Sequence, residues 1–307
     1  FALTKLNLAL LIVFVFGTAG SEMMAYYLRT VHNLIDLDTE YSRVQIYEAV
    51  HTETGRPYRA IATDPYFAQS AMYLDDNSPV FEYVKFFGLV DHVKPDSKRV
   101  LMIGGAGYTV PREYLKYHPD SRMDVVEIDP KMTDLAREYF KLHEDSRLTI
   151  FHQDGRVFLN QAPPNTYDAV FVDAFGSLFS IPLQLTTVEA VRRIHDSLNE
   201  NGVVIANIGS ALSGHGSRFL RAEFTTYRQI FSDVQLFKAR PDKPDESLQN
   251  VILVACKKAC VNRGPADLRT TALLNSAVQL EPGVAVLSDD LAPVEFYNAV
   301  GMSSLDK

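Results

Sequence analysis

From Arg99 onward the sequence alternates short apolar runs with helical stretches, and this alternation limits the fold more than any other feature. Strand-like runs at residues 100–103, 124–128, 148–151, 169–172 and 203–206 are each followed by a helical segment: 111–118, 130–142, 157–161, 187–198 and about 217–231. Pro130 stands at an initial helical position, and Asn201-Gly202 reads as the stop after 198. Such βαβ alternation predicts a parallel sheet covered by helices on both faces. The end of the region breaks the rule. Residues 234–237 and 251–255 are joined only by a polar, proline-bearing loop at 241–247, so these two strands can pair antiparallel.

A parallel sheet closed by an antiparallel hairpin is the class I methyltransferase arrangement, a Rossmann-like α/β fold distinct from an ordinary dinucleotide-binding sheet. Ahead of it lies a small β-rich segment. Residues 43–47 alternate as a half-buried strand would, 58–62 and 71–74 are further strand candidates, and Val80, Tyr83, Val84, Phe87 and Val90 can share one helical face. The 307 residues suit one large α/β domain with appendages. The expected division is an apolar N-terminal segment (1–27), a β-rich domain plus helix (38–95), a methyltransferase-like catalytic domain (96–260) and a C-terminal extension (261–307).

The formal charge of −8 argues against a nucleic-acid partner, which would need a basic face. No metal site is expected. Cys256 and Cys260, the two cysteines, cannot complete a zinc ribbon or a disulfide framework, and both are expected to be ordinary residues near a strand end.

Chemistry-bearing residues cluster at strand ends. Gly104, Gly105 and Gly107 follow the first strand of the alternating region and let the backbone turn tightly against a ligand. Glu127, twenty residues beyond Gly107, ends the next strand, where a carboxylate can accept both ribose hydroxyls of a nucleoside. A nicotinamide dinucleotide would use the same acid, but it would also want a third glycine where Val110-Pro111 stands. Asp154-Gly155 follows the third strand; the acid can bond an adenine amino group, or simply form a turn. Asp173 ends the fourth strand, where it can orient or deprotonate an attacking amine, or cap a helix. Tyr108 reads as pocket filler or a surface tyrosine, and His215 as a loop histidine near the site.

As a set these motifs resemble the spermidine synthases. The glycine signature runs from Arg99 to Tyr108 with Pro111-Arg112-Glu113, the ribose-binding strand end is Val126-Glu127-Ile128-Asp129-Pro130, and Asp154-Gly155, Tyr167-Asp168 and Asp173 follow in order. The resemblance covers about residues 38–260 and places Gln69 where the family's N-terminal hairpin supplies a glutamine to the site. It implies a transferase of polyamine biosynthesis, moving an aminopropyl group from decarboxylated S-adenosylmethionine to a small-molecule amine acceptor. It also leaves room for a homodimer, which spermidine synthases commonly form. The segment Leu287-Ser288-Asp289-Asp290-Leu291-Ala292-Pro293-Val294-Glu295 resembles the tail of relatives fused to membrane spans. The apolar run at residues 8–16 is therefore expected to be a membrane anchor or a last span; a signal-peptide core or a buried core helix is less favoured. The chain would then sit at the cytoplasmic face of a membrane or in the cytoplasm, and secretion is disfavoured.

Three departures qualify the resemblance. The family carries an aspartate in the glycine loop, where Ala106 stands; a second aspartate a few residues after the first in its catalytic loop, where Ala174, Phe175, Gly176 and Ser177 follow Asp173; and a glutamine in the first strand, where Ser42 stands. The nucleoside half of the site is intact and the amine half is altered. Methyl transfer from S-adenosylmethionine to another acceptor, or a nucleoside-binding protein without catalysis, are the competing expectations.

Overall fold

The computed structural model describes residues 2–31, 33–63, 67–174, 181–260, 264, 266–283 and 285–302. It opens with α1 (Ala2–Val31), a 30-residue helix whose described side chains are almost all exposed. Within it, Ala9–Val31 is long and apolar enough to cross a membrane, with a mean hydropathy of 1.6 and none of it buried in the protein. The exposure overturns the core-helix alternative.

Four antiparallel strands follow in sequential order: β1 (Ile35–Asp38), β2 (Arg43–Val50), β3 (Pro57–Ala62) and β4 (Ala68–Tyr73). The alternation of β2 buries Val44 and Ile46. β1 is absent from the sequence expectation because four residues of alternating acid and aliphatic carry little periodic signal. It forms because β2 offers an edge, with Ile35 opposite Ile46 and Leu37 opposite Val44.

The expected helix at residues 80–90 is instead a 3₁₀ segment, Glu82–Leu89, running into α2 (Val90–Val93). With three residues per turn, Tyr83, Phe86 and Leu89 line one edge and Val84, Phe87 and Val90 another. A single short segment thereby presents two apolar edges. Phe87 packs on Phe171 and Phe86 on Phe237, both in the main sheet.

The main domain contains β5 (Arg99–Ile103), α3 (Thr109–Tyr117), β6 (Arg122–Glu127), α4 (Pro130–Tyr139), β7 (Leu148–His152), α5 (Gly155–Gln161), β8 (Tyr167–Val172), α6 (Leu183–Thr186), α7 (Val188–Ser197), β9 (Leu198–Ser210), α8 (Arg218–Arg228), β10 (Asp233–Lys238), β11 (Gln249–Cys256), α9 (Leu268–Leu274), β12 (Ala277–Val278) and α10 (Val294–Met302). The sheet order is β12-β10-β11-β9-β8-β5-β6-β7. Strands β9, β8, β5, β6 and β7 are parallel, and β11 is inserted antiparallel between β9 and β10, as the missing helix predicts. Successive sheet residues feed two cores. Val100, Met102, Val125 and Phe171 lie in one, and Leu101, Ile103, Val126 and Val170 in the other. Each such side chain contributes about 1.5–3 kcal/mol on burial.

Two expectations need correcting. First, α7 stops at Ser197, and Asn201-Gly202 lies within β9, in a bulge between Leu198 opposite Tyr167 and Val203 opposite Ala169. Second, Cys256 and Cys260 are joined in a disulfide: the chain turns back after β11 and brings their Cα atoms to 5.3 Å. The C-terminal residues also contact the main domain. β12 joins β10, Leu287 is fully buried, and Asp289 accepts from Arg156 at 3.0 and 2.6 Å and from Thr187 at 2.6 Å.

Candidate active site

The chain runs outward from β5 through β6 to β7, then returns to β8 on the other side of β5. Ligands of open α/β sheets bind beyond the carboxyl ends of the strands at such a switch point. A chamber of about 620 Å³ lies there, roofed by the small sheet. Gly104, Gly105, Glu127, Asp154, Gly155, Asp173 and Gln69 all line it. Gly107, the other expected site residue, does not. A Cβ there would come within 2.8 Å of the Ser70 hydroxyl, so this glycine lets the loop pack against β4.

Gly104 has φ +94°, and a Cβ would stand 2.2 Å from the Asp173 carbonyl oxygen. Only glycine fits. This close approach puts the glycine loop beside Asp173, and the Asp173 N–H donates to the Ile103 carbonyl at 2.9 Å.

Glu127 is buried at the end of β6. Its Oε2 accepts from the amides of Gly105 (2.7 Å) and Ala106 (3.0 Å), and its Oε1 from that of Asp129 (3.0 Å). A carboxylate offers about four lone-pair positions, so one remains for a ligand. Asp154 caps α5, with Oδ1 accepting from the amides of Arg156 and Val157. Its Oδ2 is within 3.3 Å of the Gln184 amide nitrogen and lies in the chamber wall. Tyr108 is neither pocket filler nor a surface residue. It is fully buried beneath Gly105, and its hydroxyl is 2.7 Å from that of Thr133. His215 belongs to a short 3₁₀ turn and lines neither this chamber nor the second one described below.

Asp173 caps no helix among the described residues. Its Oδ2 accepts from the Tyr83 hydroxyl at 3.0 Å and its Oδ1 from the Asn207 amide at 2.9 Å. Asn207 in turn accepts from Asn250 at 3.0 Å, which ties the carboxylate to β9 and β11. Burial pushes the Asp173 pKa up to about 6, against the opposing pull of the Asn207 and Tyr83 hydrogen bonds. A carboxylate poised there is a competent base near neutral pH.

A second chamber, about 380 Å³, adjoins the first. Gln69, Tyr83, Asp173 and Ile181 line both, so Asp173 stands at the junction. Sequence reasoning missed Tyr83, which looks like a core residue on an apolar face. It also missed Asn207, Asn250 and Glu295, which only tertiary folding brings to the site. The alanine after Asp173 is in place, whereas the expectation for Phe175, Gly176 and Ser177 lies outside the described residues.

The inserted antiparallel strand, the glycine loop and the acid at the end of β6 together define an α/β protein of the class I methyltransferase type. The spermine/spermidine synthase domain matches residues 80–238, and the chain belongs to that family. It is 34% identical to a polyamine aminopropyltransferase of Vibrio vulnificus over 191 residues, which is 60% of each chain. It is 25% identical to a probable polyamine aminopropyl transferase of Bifidobacterium longum over 290 residues, covering 87% of this chain and 63% of that one. The chain therefore spans somewhat under two thirds of the length of these relatives. Among solved structures, a probable spermidine synthase from Corynebacterium glutamicum superposes with a TM-score of 0.68 at 21% identity, covering 84% of this chain and 96% of that one, and shares the fold.

Proposed function

We propose that the protein transfers the aminopropyl group of decarboxylated S-adenosylmethionine to a small amine. The observation that carries this reading is the meeting of two chambers at one half-buried carboxylate, Asp173. The larger chamber suits the nucleoside and the smaller one the acceptor. When bound, the donor supplies a positively charged sulfur that is already a good leaving group. Asp173 and Tyr83 then have to hold a neutral amine in line with the reacting carbon. The amine lone pair forms the C–N bond as the C–S bond breaks, the sulfur leaves as a neutral thioether, and the amine proton passes to Asp173.

Charge selects the donor. The nucleoside chamber is lined by Glu127, Asp129, Asp154, Asp173 and Glu295, and by no lysine, arginine or histidine among the described residues. Such a lining favours a ligand with sulfonium and ammonium charges and repels the extra carboxylate of S-adenosylmethionine. Calorimetric titration is expected to show the decarboxylated form binding at least about tenfold more tightly. Equal or reversed affinities would overturn aminopropyl transfer in favour of methyl transfer.

The pH dependence follows from Asp173. Its carboxyl must lose a proton to act as base, so kcat/KM is expected to rise through about pH 6. The Tyr83 hydroxyl stabilises the ionised form. Tyr83→Phe should therefore move this rise to higher pH; an unmoved or lowered midpoint would separate Tyr83 from the base. The exposed apolar stretch Ala9–Val31 supports placing the chambers beside the cytoplasmic face of a membrane.

A further inference from the structure

The second chamber carries one charge of each sign among its described lining residues. At the junction with the nucleoside chamber stands Asp173, the one carboxylate among its described lining residues. At the part not shared with the nucleoside chamber stands Lys243, in the loop between β10 and β11. The rest of the lining is mostly aromatic and carboxamide, with Tyr47, Tyr58, Phe81, Asn250 and Gln249 among it. None of these carries a negative charge that could hold a second ammonium group.

Two acids of the loop around Lys243 are engaged elsewhere. Asp242 pairs with Arg240 at 2.8 Å and Asp245 with Lys238 at 2.7 Å. Arg240 also reaches Glu53 at 3.1 Å. Lys243 makes no ion pair with any described residue. Lys243 is the one cation among the described lining residues of this chamber. A diamine held by one nitrogen at Asp173 finds no second carboxylate among the described lining residues and shares the chamber with that lysine. A carboxylate in place of the second nitrogen would be attracted to it.

Building on the aminopropyl-transfer reading, we propose that the acceptor is an ω-amino acid, a primary amine whose far end carries a carboxylate, rather than a diamine. Asp173 receives the reacting nitrogen and Lys243 selects the opposite end. The altered amine half of the site then reflects a different acceptor, not a lost activity.

The test measures release of methylthioadenosine by the full chain from decarboxylated S-adenosylmethionine with three acceptors of one length: 4-aminobutanoate, n-butylamine and 1,4-diaminobutane. The expected order of kcat/KM is that order, with about a tenfold advantage of the amino acid over the diamine. In Lys243→Glu, an exchange on an exposed loop, the ratio is expected to fall by about tenfold or more. A diamine preferred by the parent protein, butylamine used as well as the amino acid, or a ratio unmoved by the charge reversal would each overturn the assignment while leaving aminopropyl transfer standing. Release with none of the amines overturns both.

Discussion

Asp173→Asn is expected to slow methylthioadenosine release by about a hundred- to ten-thousandfold, the usual worth of a positioned base. The exchange keeps the shape of the side chain and removes its ability to take a proton. Nucleoside affinity should change little, because Gly104, Gly105, Glu127 and Asp154 are untouched. The fold should also survive. The new amide can still accept from Tyr83, and a donor facing the Asn207 amide costs about 1 kcal/mol. Removing a carboxylate that burial disfavours acts in the opposite direction. Paired measurements of turnover and of methylthioadenosine affinity separate the two effects. Turnover within about tenfold of the parent would remove Asp173 from its role as base.

Gly104→Ala should be the most damaging exchange in the glycine loop. The added Cβ meets the carbonyl oxygen of Asp173 at 2.2 Å and its carbon at 2.7 Å, and neither backbone atom can swing aside. A side chain at φ +94° adds roughly 1–2 kcal/mol of strain. Relief requires β5 and the end of β8 to separate, which breaks the bond from Asp173 N to Ile103. A loss of about 3 kcal/mol or more in urea unfolding is expected. Gly214→Ala provides the contrast. That glycine also has positive φ, +68°, but open space surrounds its Cβ position, so the cost should stay near 1 kcal/mol. Equal effects at the two positions would mean that the approach of Gly104 to Asp173 does not matter.

The strand ends were legible because each carries local signals: a glycine run after apolar residues, an acid closing a strand, a turn beginning Asp-Gly. Those signals located six residues in the wall of the larger chamber, and the family resemblance a seventh, Gln69. Tyr83 was visible only as an apolar-face residue, since nothing local distinguishes a tyrosine whose hydroxyl reaches a carboxylate ninety positions away. Asn207 and Asn250 lie one residue outside the runs that read as strand, 203–206 and 251–255, and their partnership depends on β11 inserting beside β9. Glu295 arrives from the C-terminal residues, which carry no periodic link to the sheet. The disulfide escaped for a related reason, because a spacing of four says nothing about whether the chain turns back after β11. Asp154 was legible as a site residue but also takes the competing structural role, capping the helix that it precedes.

The three amides gathered by Glu127 bear on how a ligand is received. The glycine loop is held in shape by the protein itself, through bonds from Gly105, Ala106 and Asp129. The entropic cost of ordering that segment therefore falls on folding, and association proceeds onto a rigid template. Glu127 is on this view a scaffold first and a ligand partner second. Its removal would turn a lock-and-key encounter into one that must also order the loop, weakening every nucleoside alike regardless of what is attached to its sulfur.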